Sequence, residues 1–317
     1  MRAKISRTLP TALAVLALLG AAGCSGSDET GAGNDPCSGN PFTPTTPSTG
    51  QGTPAAGSSQ DQLTALAQVD AYRNLIGLGP INFNAALDQS SQAHSDYCST
   101  NSSWCPNWHD EVPGNPGFTG ASFSDRTSAA GYGGSACFEV MAPGVGPVGA
   151  IEMWIDSVYH RTPFDSPGTL EAGFGGASQF TTMDFGCGGS SDPALVTNYP
   201  VHGQSGFPTM FLGNEGPEPP VPPSGWPSGS IISVIFPAGA TVTVTAHQLY
   251  DASCTPVDHV AGGANITPDP GFQTGFLGSS MVMYGNAPLQ SGQTYTVNVE
   301  YTLNGAPGNR TFQFTTQ

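Results

Sequence analysis

The chain has 317 residues, with 43 glycines, 29 prolines, only 9% charged residues and a formal net charge of −16. Arg2, Lys4 and Arg7 all precede residue 24, so the rest keeps four arginines against 23 acids, a net −19 with no lysine. A surface of that kind has no basic patch to neutralise phosphates, which argues against nucleic acid as a partner.

Residues 1–23 join that basic start to an apolar run from Ala12 to Ala22, too short to span a bilayer, and read as an export signal. The run ends Leu19-Gly20-Ala21-Ala22-Gly23-Cys24, which resembles the lipobox of bacterial lipoproteins. Acylation of Cys24 is therefore expected, with each buried methylene contributing about 0.8 kcal/mol to anchoring in the cell envelope. Without acylation the protein is simply secreted. Residues 24–60 are Gly, Ser, Thr and Pro with few large apolar side chains, so they read as a disordered tether.

A folded region is expected over 61–188. Leu66, Val69, Tyr72 and Ile76 mark one face of a first helix, stopped by Gly77 and Gly79-Pro80. Asn84 is a candidate N-cap for a second, with Ala86, Ser90, Ala93 and Tyr97 along a face and His94 in a structural role. A Gly-rich loop from Trp104 to Cys137 carries Trp108, Phe118, Phe123 and Tyr132, aromatics that argue for order. Gly149 to Arg161 reads as an amphipathic helix burying Ile151, Trp154, Ile155 and Val158, with Ser157 and His160 on a neighbouring face. Gly173 to Cys187 reads as a pair of strands.

Residues 189–229 are a Pro/Gly-dense connector, expected to be stiff and extended. From 230 to 317, β-branched and aromatic runs alternate with Gly, Pro and Asn turns, which suits a small all-β, immunoglobulin-like sandwich.

Beyond Cys24 there are six cysteines, an even number suited to an oxidising compartment, and six allow fifteen pairings. Position favours Cys98 with Cys105, Cys137 with Cys187, and Cys37 with Cys254. The absence of a C-x-x-C pair argues against a redox motif or a thiolate zinc site.

Leu78-Gly79-Pro80-Ile81, His94-Ser95, His109, Asp125-Arg126, Gly131-Tyr132, Glu139 and the run W-I-D-S-V-Y-H-R at 154–161 together resemble the CAP superfamily of cysteine-rich secretory, antigen and pathogenesis-related proteins, in its bacterial secreted form. The resemblance implies an α+β fold, an α-β-α sandwich with a central antiparallel sheet and a large cleft. Many members carry two His and two Glu there, sometimes around a divalent metal. His109 and Glu139 match one of each, whereas Ser157 and Gln179 stand where the second Glu and second His are expected. Ser and Gln are poor zinc ligands, so a divalent metal at His109 and Glu139 is disfavoured and no cofactor is expected.

The site expected is a cleft faced by His109, Glu139 and His160, with Ser157 and Gln179 at its edge and Arg161 a structural cation. The leading function is non-enzymatic binding of a small apolar or envelope-derived ligand. Two alternatives are a hydrolase or peptidase using His109 and Glu139 as acid and base, and a structural or adhesive protein acting through the β domain.

Overall fold

The computed structural model describes Cys37, residues 42–101, Cys105, residues 108–267 and residues 269–317. The signal over 1–23 and the lipidation residue Cys24 lie outside the described residues. Ser59 and Gln62 close a capping box that starts α1 (Gln60–Leu75). Leu66, Val69, Tyr72 and Ile76 are all buried on its inner face, and Gly77 takes the positive φ of 75° that ends it. After β1 (Asn82–Phe83), the Asn84 side chain accepts the Ala86 N–H at 2.9 Å and caps α2 (Ala85–Thr100).

The loop that follows contains α3 (Phe123–Ala129) and runs into β2 (Ser135–Pro143), so Glu139 stands on a strand that the Gly-rich composition concealed. Next come α4 (Pro147–Ile155), the short α5 (Thr162–Asp165), β3 (Thr169–Gly176) and β4 (Phe180–Cys187). Helix α4 is shorter than the helix expected over 149–161. It ends at Ile155, and Ser157 and His160 sit in the turns beyond it.

The sheet order is β1-β3-β4-β2, with β3–β4 and β2–β4 antiparallel and β1–β3 parallel. Period-two alternation gives it two unlike faces. Val140, Ala142, Ala172, Phe174, Met183 and Phe185 pack with α1 and α4, burying Trp154. On the opposite face a Cβ at Gly173 would lie 2.1 Å from the Asp88 backbone nitrogen, and one at Gly175 2.2 Å from that of Gln92. Glycine at both positions lets α2 lie directly against the sheet, completing an α-β-α layering.

The chain then adds β5 (Thr197–Tyr199), β6 (Gln204–Phe207), β7 (Ile232–Ile235), β8 (Val242–Tyr250), β9 (Pro256–Val257), β10 (His259–Gly263), β11 (Ser280–Gly285), β12 (Thr294–Leu303) and β13 (Ala306–Thr316). These form a four-stranded sheet, β10-β11-β7-β5, and a five-stranded one, β6-β13-β12-β8-β9. Ile232, Val234, Met281 and Met283 of the first meet Leu249, Val297, Val299, Phe312 and Phe314 of the second in one core. The first sheet is apolar on its other face too. Ile235 joins the core beneath α1 and α4, and Val282 and Tyr284 pack with Val158 and Tyr159.

Two segments depart from expectation. Within the tether expected over 24–60, residues 42–59 form a strap along the folded body. Thr43 N–H donates to Thr311 O at 2.7 Å, Ser48 N–H to Asn74 O at 2.9 Å, and Gly52 N–H to the Asp70 carboxylate at 2.9 Å. Backbone groups and small polar side chains such as Thr45 and Ser48 hold the strap, which is why a reading based on apolar side chains missed it. The connector expected over 189–229 supplies β5 to one sheet and β6 to the other. Disulfides join Cys37 to Cys254, Cys98 to Cys105 and Cys137 to Cys187. Among the described residues no helix is long and apolar enough to cross a membrane.

Candidate functional site

Four elements converge beside the sheet face that carries α2. Strand β2 brings Glu139, the loop after α2 brings His109 and Glu111, α2 brings His94, and α3 brings Arg126. Ser122 and Asp125 cap α3 reciprocally, which fixes the first turn and with it the direction of Arg126. The Arg126 guanidinium is buried, donates to Glu139 Oε2, and reaches the His109 carbonyl through Nη1 at 3.0 Å. Its Nε lies 3.8 Å from Glu111 Oε1.

His109 Nδ1 meets Glu139 Oε1 at 2.8 Å, so the pair expected from the sequence forms. The imidazole keeps 35% of its side-chain surface while Glu139 keeps 1%. Burial works against the charged carboxylate, but the His109 hydrogen bond and the charges of Arg126 and His94 outweigh it and hold Glu139 down at about 2. Across the strand pair from Glu139 stands Asp184. Its burial, then the Glu139 charge, push that carboxyl well above the usual range. The two neighbouring carboxyls are thus shifted in opposite directions, Glu139 down and Asp184 up.

His94 sits beneath them with no exposed surface, Nδ1 2.9 Å from Glu111 Oε1 and Nε2 2.9 Å from the Trp108 carbonyl. Glu111 also accepts the Thr119 N–H at 2.7 Å, which ties down the loop bearing His109. The structural role expected for His94 therefore extends to holding the site together. Arg126 was legible only as part of a family motif, and Glu111 and Asp184 carried no signal beyond the acidic residue type.

Trp108 forms the outer wall. Its ring is edge-on to Phe180 at 5.4 Å, it remains 44% exposed, and its φ of 64° is in the left-handed region that a bulky side chain avoids. Gln179, just before Phe180, is exposed and hydrogen-bonds Ser99, close to this rim.

The other two expected residues lie elsewhere. Ser157 is buried and donates back to Trp154 O at 2.7 Å, following a helix packed on the opposite face of the sheet from Glu139. His160 follows the same helix and pairs with Glu215 of the connector at 2.8 Å. Glu215 also accepts the N–H groups of Val158, Tyr159 and His160 at 2.7, 2.7 and 2.8 Å. Beside them Arg161 is buried, donating to Ile231 O and Ser233 Oγ at 2.8 Å each. The cleft expected to be shared by His109, Glu139 and His160 is thus divided between two places, because α4 packs on the sheet face opposite the one that carries Glu139.

The donor chemistry fits a metal poorly. A divalent ion at His109 and Glu139 would have to displace both the imidazole N–H and the Arg126 guanidinium from the same carboxylate, with no help from Ser157. His94, Cys98 and Cys105 bring donor atoms within 4.8 Å of one another, but the two sulfurs are bonded to each other and are not thiolate ligands.

Comparison with known proteins locates the resemblance. A family model described as CAP, the cysteine-rich secretory protein family, matches residues 66–187, and that segment is a CAP domain. No curated protein matches the chain. A crystal structure of an extracellular protein containing an SCP domain, from Bacillus anthracis str. Ames, is similar at 19% identity and a TM-score of 0.36, covering 40% of this chain and 40% of that one.

Proposed function

We propose that this is an exported, non-enzymatic CAP-domain protein that holds a small apolar or envelope-derived ligand against the Trp108–His109 loop, with His109 orienting the ligand's polar end. The observation that carries this reading is the His109 imidazole itself, pinned through Nδ1 at 2.8 Å yet 35% exposed, beside an exposed and backbone-strained Trp108. Phe118 adds further apolar surface to the same loop. Ligand sites combine apolar walls with a few fixed polar groups, and backbone strain tends to persist where function needs it.

A hydrolase reading has less support. A carboxylate held at about 2 is a weak general base, and Ser157 is buried away from the imidazole. In the binding reading no metal takes part, since Arg126 already neutralises Glu139. Acyl groups on Cys24 would tether the protein to the envelope, and the two C-terminal sheets would act as an immunoglobulin-like module presenting the CAP domain. Nucleic acid has no place in the scheme, given the net −19 beyond residue 23.

Mass spectrometry of organic extracts from protein purified out of its native envelope tests the reading. A stoichiometric apolar species that falls at least tenfold in Trp108→Ala supports it. Protein free of any such species, or equal content in the variant, overturns it.

A further inference from the structure

A groove of about 500 Å³ opens in the C-terminal half of the molecule, within the roughly 300–1,000 Å³ of small-molecule sites. One wall is the start of β8 with the turn that follows β10, and the other is the segment from Asp269 to Ser279 that leads into β11. The turn closes by a bond from Ile266 N–H to Gly263 O at 3.0 Å and holds Gly263, Ala264 and Asn265 at φ of 84°, 45° and 56°. Two successive non-glycine residues in the left-handed region are costly, and strain of that kind persists where function needs it. The facing wall is fixed by the CAP domain. Gln273 N–H donates to Tyr159 Oη at 3.1 Å, Leu277 packs with Val158 and Tyr159, and a Cβ at Gly278 would meet the Thr162 methyl at 3.6 Å.

We propose that this groove binds a neutral saccharide, a mono- or disaccharide unit of a glycan. Val242 and Ile266 are buried and give it an apolar floor, while Asn265, Thr267, Asp269 and Thr274 are exposed along its rim. Asn265 Nδ2 donates to Val242 O at 2.6 Å, which fixes the amide and leaves Oδ1 as an acceptor. Asp269 Oδ1 accepts the Gly271 and Phe272 N–H groups at 2.8 and 2.9 Å, which orients the carboxylate and leaves Oδ2 for a ligand. Two fixed acceptor oxygens, beside hydroxyls that both donate and accept, match the neighbouring hydroxyls of a sugar ring. The apolar floor suits the C–H face of the same ring. Gly263, Gly275 and Gly278 keep the walls low, so backbone groups can approach the ligand closely.

Charge sets the ligand class. No basic side chain lines the groove, and Arg73, Arg126, Arg161 and Arg310 are all buried elsewhere. A phosphate, sulfate or carboxylate in the groove would face Asp269 with no counter-charge, and like charges brought together oppose binding. A single carboxylate, one of whose oxygens is already engaged, is also a poor start for calcium, which takes about 6–8 oxygen ligands. The contrast with the His109 loop is direct: there Trp108 and Phe118 offer exposed aromatic surface, and here the exposed groups are hydroxyl, amide and carboxylate.

Amide NMR of the isotope-labelled full chain, titrated with maltose, cellobiose, lactose and chitobiose, tests the proposal. At least one of these sugars should shift the Asn265, Thr274 and Gly275 amides, saturating a single site at millimolar concentration, while the Trp108 and His109 amides stay in place. Affinity should fall at least tenfold in Asp269→Asn, which keeps an oxygen for the Gly271 and Phe272 N–H groups. It should fall as far in Gly275→Trp, which fills the groove from a position where a Cβ meets no atom within 4 Å. Unaltered affinity in Gly275→Trp overturns the proposal. So does wild-type protein that responds to none of the sugars, or whose same amides shift with CaCl₂ in the absence of sugar, results that do not depend on how either variant folds.

Discussion

His109 and His160 each meet a buried glutamate through Nδ1 at 2.8 Å, yet the two carboxylates are neutralised in different ways. Glu139 is met by a second side chain, the Arg126 guanidinium, and its histidine keeps 35% of its surface. Glu215 is met by three successive backbone N–H groups in the turn after α4, and its histidine keeps only 16%. Side-chain neutralisation leaves an imidazole edge facing solvent and suits a site. Backbone neutralisation locks a connector onto a turn and suits a latch. A His–Glu distance alone does not separate the two roles.

The sharpest way to break the comparison is to remove what neutralises each carboxylate. Arg126→Met strands Glu139 and Glu111 in the interior, and a loss of about 3–5 kcal/mol in urea unfolding is expected. Glu215→Ala leaves three N–H groups and the His160 ring without their acceptor, and roughly 2–4 kcal/mol should be lost by the same measurement. A loss under about 1 kcal/mol in either variant, the range of exposed ion pairs, would remove the corresponding half of the argument.

A smaller, pH-dependent effect sharpens the first half. Asp184 is raised above its ordinary 3.8, so below that pH both folded and unfolded chains hold its proton and replacement changes little. As pH rises past 3.8 the unfolded chain ionises first, which costs the wild type stability that Asp184→Asn does not lose. The variant should gain on the wild type in urea midpoint between pH 4 and 7. Glu139 runs the other way: its depressed value of about 2 adds stability that is complete above its ordinary 4.5 and is lost as pH falls from there toward 2. A constant gap between Asp184→Asn and wild type across that range would mean Asp184 is ionised in the native protein.

Local grammar made part of this legible in the sequence. The Asn84 cap, the Leu66–Ile76 face and the strands β8, β12 and β13 are short-range patterns, and each was readable as such. His109 and Glu139 were readable because a family resemblance singled out their positions. The pairing of Glu215 with His160 was not, since the two lie 55 residues apart and no local pattern links a connector to the turn after a helix. The strap over 42–59 escaped because most of its holding groups are main-chain amides and small hydroxyls, which hydrophobicity does not register. The end of α4 at Ile155 was hidden because Val158 continues the apolar period while packing against a different sheet. Tertiary contact overrode the helical pattern there.

The central claim, that one His–Glu pair is a site and the other a latch, is tested most directly by the ligand content per mole of His109→Gln and His160→Gln protein purified from the native envelope, read by mass spectrometry against wild type. The account predicts a loss of at least tenfold in His109→Gln and wild-type content in His160→Gln. Equal loss in both variants, or loss confined to His160→Gln, would contradict it.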